Sequence, residues 1–136
     1  MKDLLVLLKT LNLFAHNAHN LASRVVFNQD HEFLAEIYEA ADSNYDDVVE
    51  RHIGLMGELN LAEIDAAAAM KNKTLPQGND NASKLQTCLT LEKQICVLCE
   101  QLVRSKQLTV GTEQLLGDIC NTSEARQYKL SRRLLK

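Results

Sequence analysis

Apolar residues spaced three and four apart run through most of the first 57 residues, with one short polar interruption. They predict a helix from about Asp3 to Val26, a turn at Phe27-Asn28-Gln29, and a second helix to about Gly57 that Asn28 or Asp30 would cap. The first stripe is Leu4, Leu8, Leu11, Ala15, Ala18, Ala22 and Val25; the second is Leu34, Ile37, Tyr38, Ala41, Tyr45, Val48 and Leu55. A second helix of roughly 28 residues is more than twice the average length, so it needs long partners.

Two more long helices are predicted in the remainder of the chain. A short helix from Asn60 to Lys71 and a break over residues 73–81 precede a third long helix, from about Ala82 to Lys106. The fourth long helix would begin near Gly111, with Thr112 as its cap, and end near Leu135. Two long hairpins joined by a connection with a short helix describe a four-helix bundle with one long crossover, the ferritin-like topology.

Length and composition agree with a single all-α domain over residues 1–136. The chain is 46% hydrophobic and has five glycines and one proline, so helix is favoured nearly everywhere. A net charge of −3 argues against a bare nucleic-acid-binding module. The apolar run after Met1 is too short for a membrane span and unlike a secretory signal, so a cytoplasmic protein is expected.

Four cysteines fit that compartment without requiring disulfides. Cys96 and Cys99 form a C-x2-C motif, for which a zinc or redox site is the functional alternative. No second pair matches it, and both residues share an apolar face with Leu85, Cys88 and Leu102. We therefore expect core thiols.

Four side chains that can bind a metal ion fall on the first two helices. His19 and His31 flank the predicted turn, so an antiparallel hairpin brings their imidazoles together. Asp46 and Glu50 share a flank of the second helix with His31, but Asp46 lies roughly 22 Å farther along it. Bonds to a transition metal are about 2 Å long, so one subunit cannot close this site. A two-fold axis would set the histidines of one subunit against the carboxylates of another.

The alternative is a solvated helix face, on which such spacings are common. A metal centre of the ordinary di-iron type, closed within one chain, needs Glu-x-x-His pairs in both halves of a bundle. All four histidines lie in the first 52 residues, which excludes that arrangement and leaves a shared interface. Mixed imidazole and carboxylate ligands suit iron, whose open positions would react with dioxygen or peroxide.

The segment from His19 to Arg51 resembles the signature of the Dps family, the mini-ferritins or DNA-binding proteins from starved cells. The matching residues are His19, Phe27, His31-Glu32, Tyr38 and Asp46-x3-Glu50-Arg51, without a gap. The rest of the chain agrees more loosely, so the resemblance covers nearly its whole length. It implies that His19 and His31 bind iron from one subunit, and Asp46 and Glu50 from its two-fold partner.

Two residues depart from the family pattern. Ala35 stands where the family has an acidic residue four positions after the second histidine, and Asn20 replaces a tryptophan after the first. Glu36 points roughly 100° away from that position and would reach iron only through water, whereas His16 is a possible compensating ligand. We expect the missing carboxylate to weaken the second iron position more than the first.

The resemblance also implies partners and an assembly. Mini-ferritins form twelve-subunit shells, oxidise ferrous iron, preferably with hydrogen peroxide, and store ferric oxide inside. Glu113 and Asp118 are the candidates for an acidic iron-entry pore. The basic end of the chain, with Lys136 as its last residue, is interpreted as complementing a helix dipole, and tight DNA binding is not expected. The alternative function is a non-catalytic shell or DNA-protecting scaffold, in which Ala35 marks a degraded centre.

Overall fold

Helices make up the regular structure of residues 1–135, the part of the chain that the computed structural model describes. They are α1 (Lys2–Leu21), α2 (Phe27–Met56), α3 (Leu61–Thr74), α4 (Asn81–Arg104) and α5 (Val110–Arg133). No strand occurs in this range. The all-α prediction is therefore confirmed, with four long helices and the short α3 in the connection between α2 and α4. None of the helices in residues 1–135 combines the length and the apolarity that crossing a membrane requires.

The central element is α1, which packs along α2 and also contacts α3 and α4, while α5 packs mainly on α4. Four of its leucines are at most 1% exposed: Leu4, Leu5, Leu8 and Leu11. Each contributes about 1.5–3 kcal/mol by leaving water. The short α3 covers another side of α1 with Ile64 and Ala68. Both predicted apolar stripes therefore face a common core over most of their length.

The tip of the α1–α2 hairpin differs from the prediction. Helix α1 ends at Leu21 rather than Val26, because Ala22 turns to an extended conformation and Arg24 adopts a left-handed one with φ 76°. Ser23 instead bonds through its N–H and C=O to the side chain of Asn81, at 3.1 and 2.7 Å. A contact distant in sequence thus replaces the last turn of helix. Val25, predicted to lie on the core stripe, is fully exposed.

Two helix starts were also misplaced by the sequence patterns. Helix α2 begins at Phe27 after Val26, which provides no side-chain cap, so neither Asn28 nor Asp30 caps it. Helix α5 is capped by Thr109, whose hydroxyl accepts the N–H of Thr112, rather than by Thr112. Among the remaining stripe residues, Leu55 is 53% exposed, because it lies in the last turn of α2.

The cysteines of α4 lie inside the protein. Cys88, Cys96 and Cys99 are buried, and Leu85 is buried beside them, whereas Leu102 is partly buried. The prediction that these thiols belong to the core is confirmed.

Candidate metal centre

The imidazoles of His19 and His31 lie face to face at the end of the α1–α2 hairpin. Their ring centroids are 3.6 Å apart and the ring planes are inclined by 21°. His19 belongs to the last turn of α1, and His31 to the beginning of α2. Both are half-buried. The hairpin therefore brings together the two histidines that the sequence predicts to meet.

Each of these histidines is held by the backbone of the other. The Nδ1–H group of His19 donates to the carbonyl oxygen of His31 at 2.6 Å, and the Nδ1–H group of His31 donates to the carbonyl oxygen of His19 at 2.9 Å. A carbonyl oxygen can only accept, so both Nδ1 atoms carry a proton. In a neutral imidazole with this tautomer, Nε2 keeps its lone pair and can bind a metal ion. The reciprocal bonds thus leave the Nε2 atom of each ring unused by the other histidine.

Aromatic rings surround this imidazole pair. Phe27 stacks on His31 with a centroid distance of 4.9 Å, and Tyr38 meets the ring of His19 edge-on at 5.3 Å. His16 is exposed and stacks on Tyr38 at 4.3 Å, with its centroid 6.4 Å from that of His19. His16 is thus adjacent to the pair without sharing its stack. These contacts limit the movement of the His19 and His31 rings.

The predicted carboxylate ligands lie elsewhere on α2. Asp46 and Glu50 are exposed, and fifteen helical positions separate His31 from Asp46, which corresponds to roughly 22 Å. Within residues 1–135 neither carboxylate takes part in an ion pair. The structure of one protomer therefore keeps the two halves of the predicted ligand set apart. In the same part of the chain, no three His, Cys, Asp or Glu side chains are grouped so that they could hold a metal ion.

Glu36, a candidate ligand for the second iron position, faces another helix. Its carboxylate accepts a hydrogen bond from Lys129 Nζ of α5 at 3.3 Å, in an exposed ion pair. Ala35, one turn after His31, is half-buried and offers no ligand atom. Only His16 of the two additional candidates lies beside the imidazole pair.

The candidates for an iron-entry pore lie on α5. Glu113 is half-buried in its first turn, and Asp118 is exposed farther along the helix. Nearby, Arg51 of α2 donates to the Thr112 hydroxyl at 3.5 Å.

A buried ionic cluster next to the imidazole pair was not recognised in the sequence. Asp30 is 1% exposed and accepts two hydrogen bonds from Arg133, at 3.0 and 2.9 Å, and one from Asn81 at 3.0 Å. We call these three residues the Asp30 clamp. Hydrogen bonding to Asp30 is the main cause that raises the pKa of Arg133. The clamp fixes the start of α2, one residue before His31, to α4 and α5.

The clamp changes the interpretation of the basic end of the chain. Arg133 pairs with Asp30, Lys129 with Glu36, and Arg126 with Glu92, at N–O distances of 2.9, 3.3 and 2.7 Å. The sequence suggested that these cations complement the dipole of the last helix. In the structure each of them also contacts a specific carboxylate. Lys136, counted with them in the sequence, lies outside the described residues. In the sequence, the clamp was indicated only by the acidic residue Asp30 in the first turn of α2, which was interpreted as a helix cap.

Comparison of the chain with protein-family models finds no match, and comparison with curated proteins finds none either.

Proposed function

We propose that this protein is a mini-ferritin that binds and oxidises ferrous iron at a site shared by two subunits. His19 and His31 of one subunit would bind the ion together with Asp46 and Glu50 of its two-fold partner. The observation that supports the proposal is the reciprocal Nδ1 bonding of the histidines, because it leaves both Nε2 atoms free to bind an ion. The Dps-like spacing of the four residues supplies the rest of the argument.

The charge distribution along α2 supports the two-fold pairing. The imidazoles lie at one end, and the exposed acids Asp42, Asp46, Asp47 and Glu50 follow toward the other. An antiparallel arrangement of two such helices sets each acidic segment against an imidazole pair. The carboxylates would gain the ferrous ion there, whereas within residues 1–135 of their own protomer they take part in no ion pair.

The proposed reaction takes one electron from each of two ferrous ions and delivers both to one hydrogen peroxide. The O–O bond breaks, two protons are taken up, and two waters form without release of hydroxyl radical. Iron is the substrate, and the residues of the chain hold it. Because Ala35 stands where the family has a carboxylate, the second iron position would depend on fewer protein ligands, and His16, with its ring centroid 6.4 Å from that of His19, is the candidate to replace the missing one.

A ferritin-like bundle and a shell of twelve subunits complete the proposal. The four long helices and the α3 connection have the order that this topology requires. Twelve copies of the 15.3 kDa chain would give a particle of about 184 kDa built from two-fold dimers. Such a shell would hold ferric iron inside and protect against oxidative stress, without tight DNA binding.

The test is ferrous oxidation by peroxide, followed by stopped-flow absorbance. We expect His31→Ala and Asp46→Ala each to slow the reaction by about 100-fold or more, because each removes a ligand. Asp47→Ala is the matched control, since Asp47 is an equally exposed acid on the same helix. It should react like the parent protein.

Subunit mixing makes the test specific for a shared site. If His31→Ala and Asp46→Ala subunits are unfolded and refolded together, each mixed dimer regains one intact site. Random pairing then restores about one quarter of the parental activity. No recovery on mixing, in particles of the parental size, would contradict a site made by two subunits.

The rival function is a shell or scaffold without catalysis, and Ala35 is the observation that favours it. Ferrous-ion binding under anaerobic conditions separates the two. The proposed function requires two equivalent sites per dimer that Asp46→Ala abolishes, whereas a scaffold shows no binding that depends on Asp46.

A further inference from the structure

Cysteines from two helices meet where α4 and α5 pack together. Cys96 Sγ lies 4.0 Å from the backbone oxygen of Cys120, and Cys120 Sγ lies 4.0 Å from the backbone oxygen of Cys96. Cys99, about one turn after Cys96 on α4, lines the same surface groove as Cys120. We call these three residues the thiol cluster. Neither helix carries the imidazole pair, so this cluster is separate from the candidate iron site.

A surface groove leads to two members of the thiol cluster. It has a volume of about 320 Å³, and its lining includes Cys99, Cys120, Arg104 and Gly117. A Cβ atom added at Gly117 would meet no atom within 4 Å, so α5 leaves open space at this point. Cys120 is partly exposed and Cys99 is 1% exposed. The groove thus reaches one partly exposed and one buried cysteine.

Cys96 has a different environment from these two residues. Its sulfur accepts a hydrogen bond from Gln127 Nε2 at 3.3 Å, and it is not among the residues that line the groove. Cys96 is therefore held by Gln127 outside the groove, whereas Cys99 and Cys120 both belong to the groove wall.

We propose that Cys99 and Cys120 bind copper(I) between their sulfur atoms at this groove. Soft thiolate sulfur favours this ion over harder metals, and copper(I) accepts two sulfur ligands in a linear arrangement. Zinc, in contrast, needs a tetrahedral set of ligands. Residues 1–135 contain no group of three His, Cys, Asp or Glu side chains placed to hold one ion. Two thiols in a groove therefore match a soft two-coordinate ion and not zinc.

Binding of copper(I) releases the protons of the two thiols. Burial raises the pKa of Cys99 to about 11 and also raises that of Cys120, so both are thiols at neutral pH. One copper(I) ion replaces two S–H protons, forms two Cu–S bonds and leaves a complex with one negative charge. No electron is transferred. In the groove wall the Arg104 guanidinium already pairs with the Glu100 carboxylate at 3.9 Å, so it does not offset this charge.

The test is an anaerobic titration of the intact protein with copper(I) in competition with a chromophoric copper(I) chelator. We expect one ion per chain and a sulfur-to-copper charge-transfer band in the ultraviolet. Cys120→Ser and Cys99→Ala should each weaken binding by about 100-fold or more, because one of two ligands is lost. Because Cys120 is partly exposed, the Cys120→Ser variant is suited to keeping the fold, which circular dichroism checks.

Cys88→Ser is the matched control, because Cys88 is a cysteine of α4 that does not line the groove. This variant should keep the affinity within about tenfold of the parent. The proposal is overturned if the chelator retains all copper in the presence of the parent protein. It is also overturned if Cys88→Ser weakens binding as much as Cys120→Ser, or if zinc competes at equal concentration. Silver(I), which does not change its oxidation state, should give the same stoichiometry as copper(I).

Discussion

Apart from the Asp30 clamp, the α1–α2 hairpin and the α4–α5 pair differ in where their acidic side chains lie. In the α1–α2 hairpin, acids such as Asp46 and Glu50 are exposed and without ion partners in residues 1–135. In the α4–α5 pair, Glu92 and Arg126 form an ion pair with 1% and 7% of their side chains exposed. Most polar groups inside a protein are satisfied within the protomer, whereas groups on the surface remain available to a partner. The difference separates residues that hold the fold from residues suited to binding.

The helices of the two pairs also differ in how their first turns are capped. Asn60, Asp80 and Thr109 cap α3, α4 and α5 by accepting a backbone N–H with a side-chain oxygen. Neither α1 nor α2 has such a cap. The start of α2 is held instead by the Asp30 clamp. Local sequence therefore fixes the later helices, while a long-range contact fixes the helix that carries His31.

The largest effect is expected at the buried ion pair of α4 and α5. Glu92→Ala leaves the Arg126 guanidinium without its two hydrogen bonds, at 2.7 and 3.2 Å, in a site that is 6% exposed. An unpaired buried charge should lower the free energy of unfolding by about 3–5 kcal/mol, measured by urea denaturation. The double variant Glu92→Leu with Arg126→Leu should be much less affected, because no charge is left alone. Equal losses in both variants would show that packing, and not charge, explains the effect.

A smaller loss is expected at the Asp30 clamp. Asp30→Ala removes three hydrogen bonds, but Arg133 keeps access to water because a third of its side chain is exposed. We expect the free energy of unfolding to fall by about 2 kcal/mol, again from urea denaturation. Glu32→Ala, an exposed acid two residues along the same helix, is the control. If the two variants unfold alike, the clamp does not anchor α2.

The smallest effect on stability is expected for the proposed carboxylate ligands. The iron-free double variant Asp46→Ala, Glu50→Ala should unfold within about 0.5 kcal/mol of the parent, since both side chains are exposed. A loss above about 1 kcal/mol would show that these acids stabilise the protein itself. The exposed acids of α2 would then hold the fold, as the buried ion pair of α4 and α5 does.

Much of the fold follows from local patterns, because helical periodicity is a property of neighbouring residues. The existence and order of the five helices, the length of α2 and the burial of the α4 cysteines were predicted in this way. The errors lie at the hairpin tip and at the helix starts. There Asn81 binds Ser23, 58 residues away in sequence, and no local pattern reports such a contact.

The candidate site, like the fold, was predicted from the sequence only in part. Spacing alone predicted that His19 and His31 meet at the hairpin, and that Asp46 lies too far along α2 to join them. It gave no indication of the reciprocal bonds that select the tautomer of each ring, since those depend on the close approach of two helix ends. The ion pair between Glu36 and Lys129, 93 residues apart, likewise needed the packed structure.

The sequence by itself determined which residues are helical, which faces are apolar and how far apart the potential ligands lie along α2, because backbone geometry converts residue number directly into distance and direction. Only the tertiary structure decided which polar atoms are satisfied. It paired Asp30 with Arg133 across 103 residues, turned both Nδ1 atoms toward carbonyl oxygens and gathered three thiols beside a groove. Those outcomes depend on contacts between helices, and such contacts exist only after the core has packed.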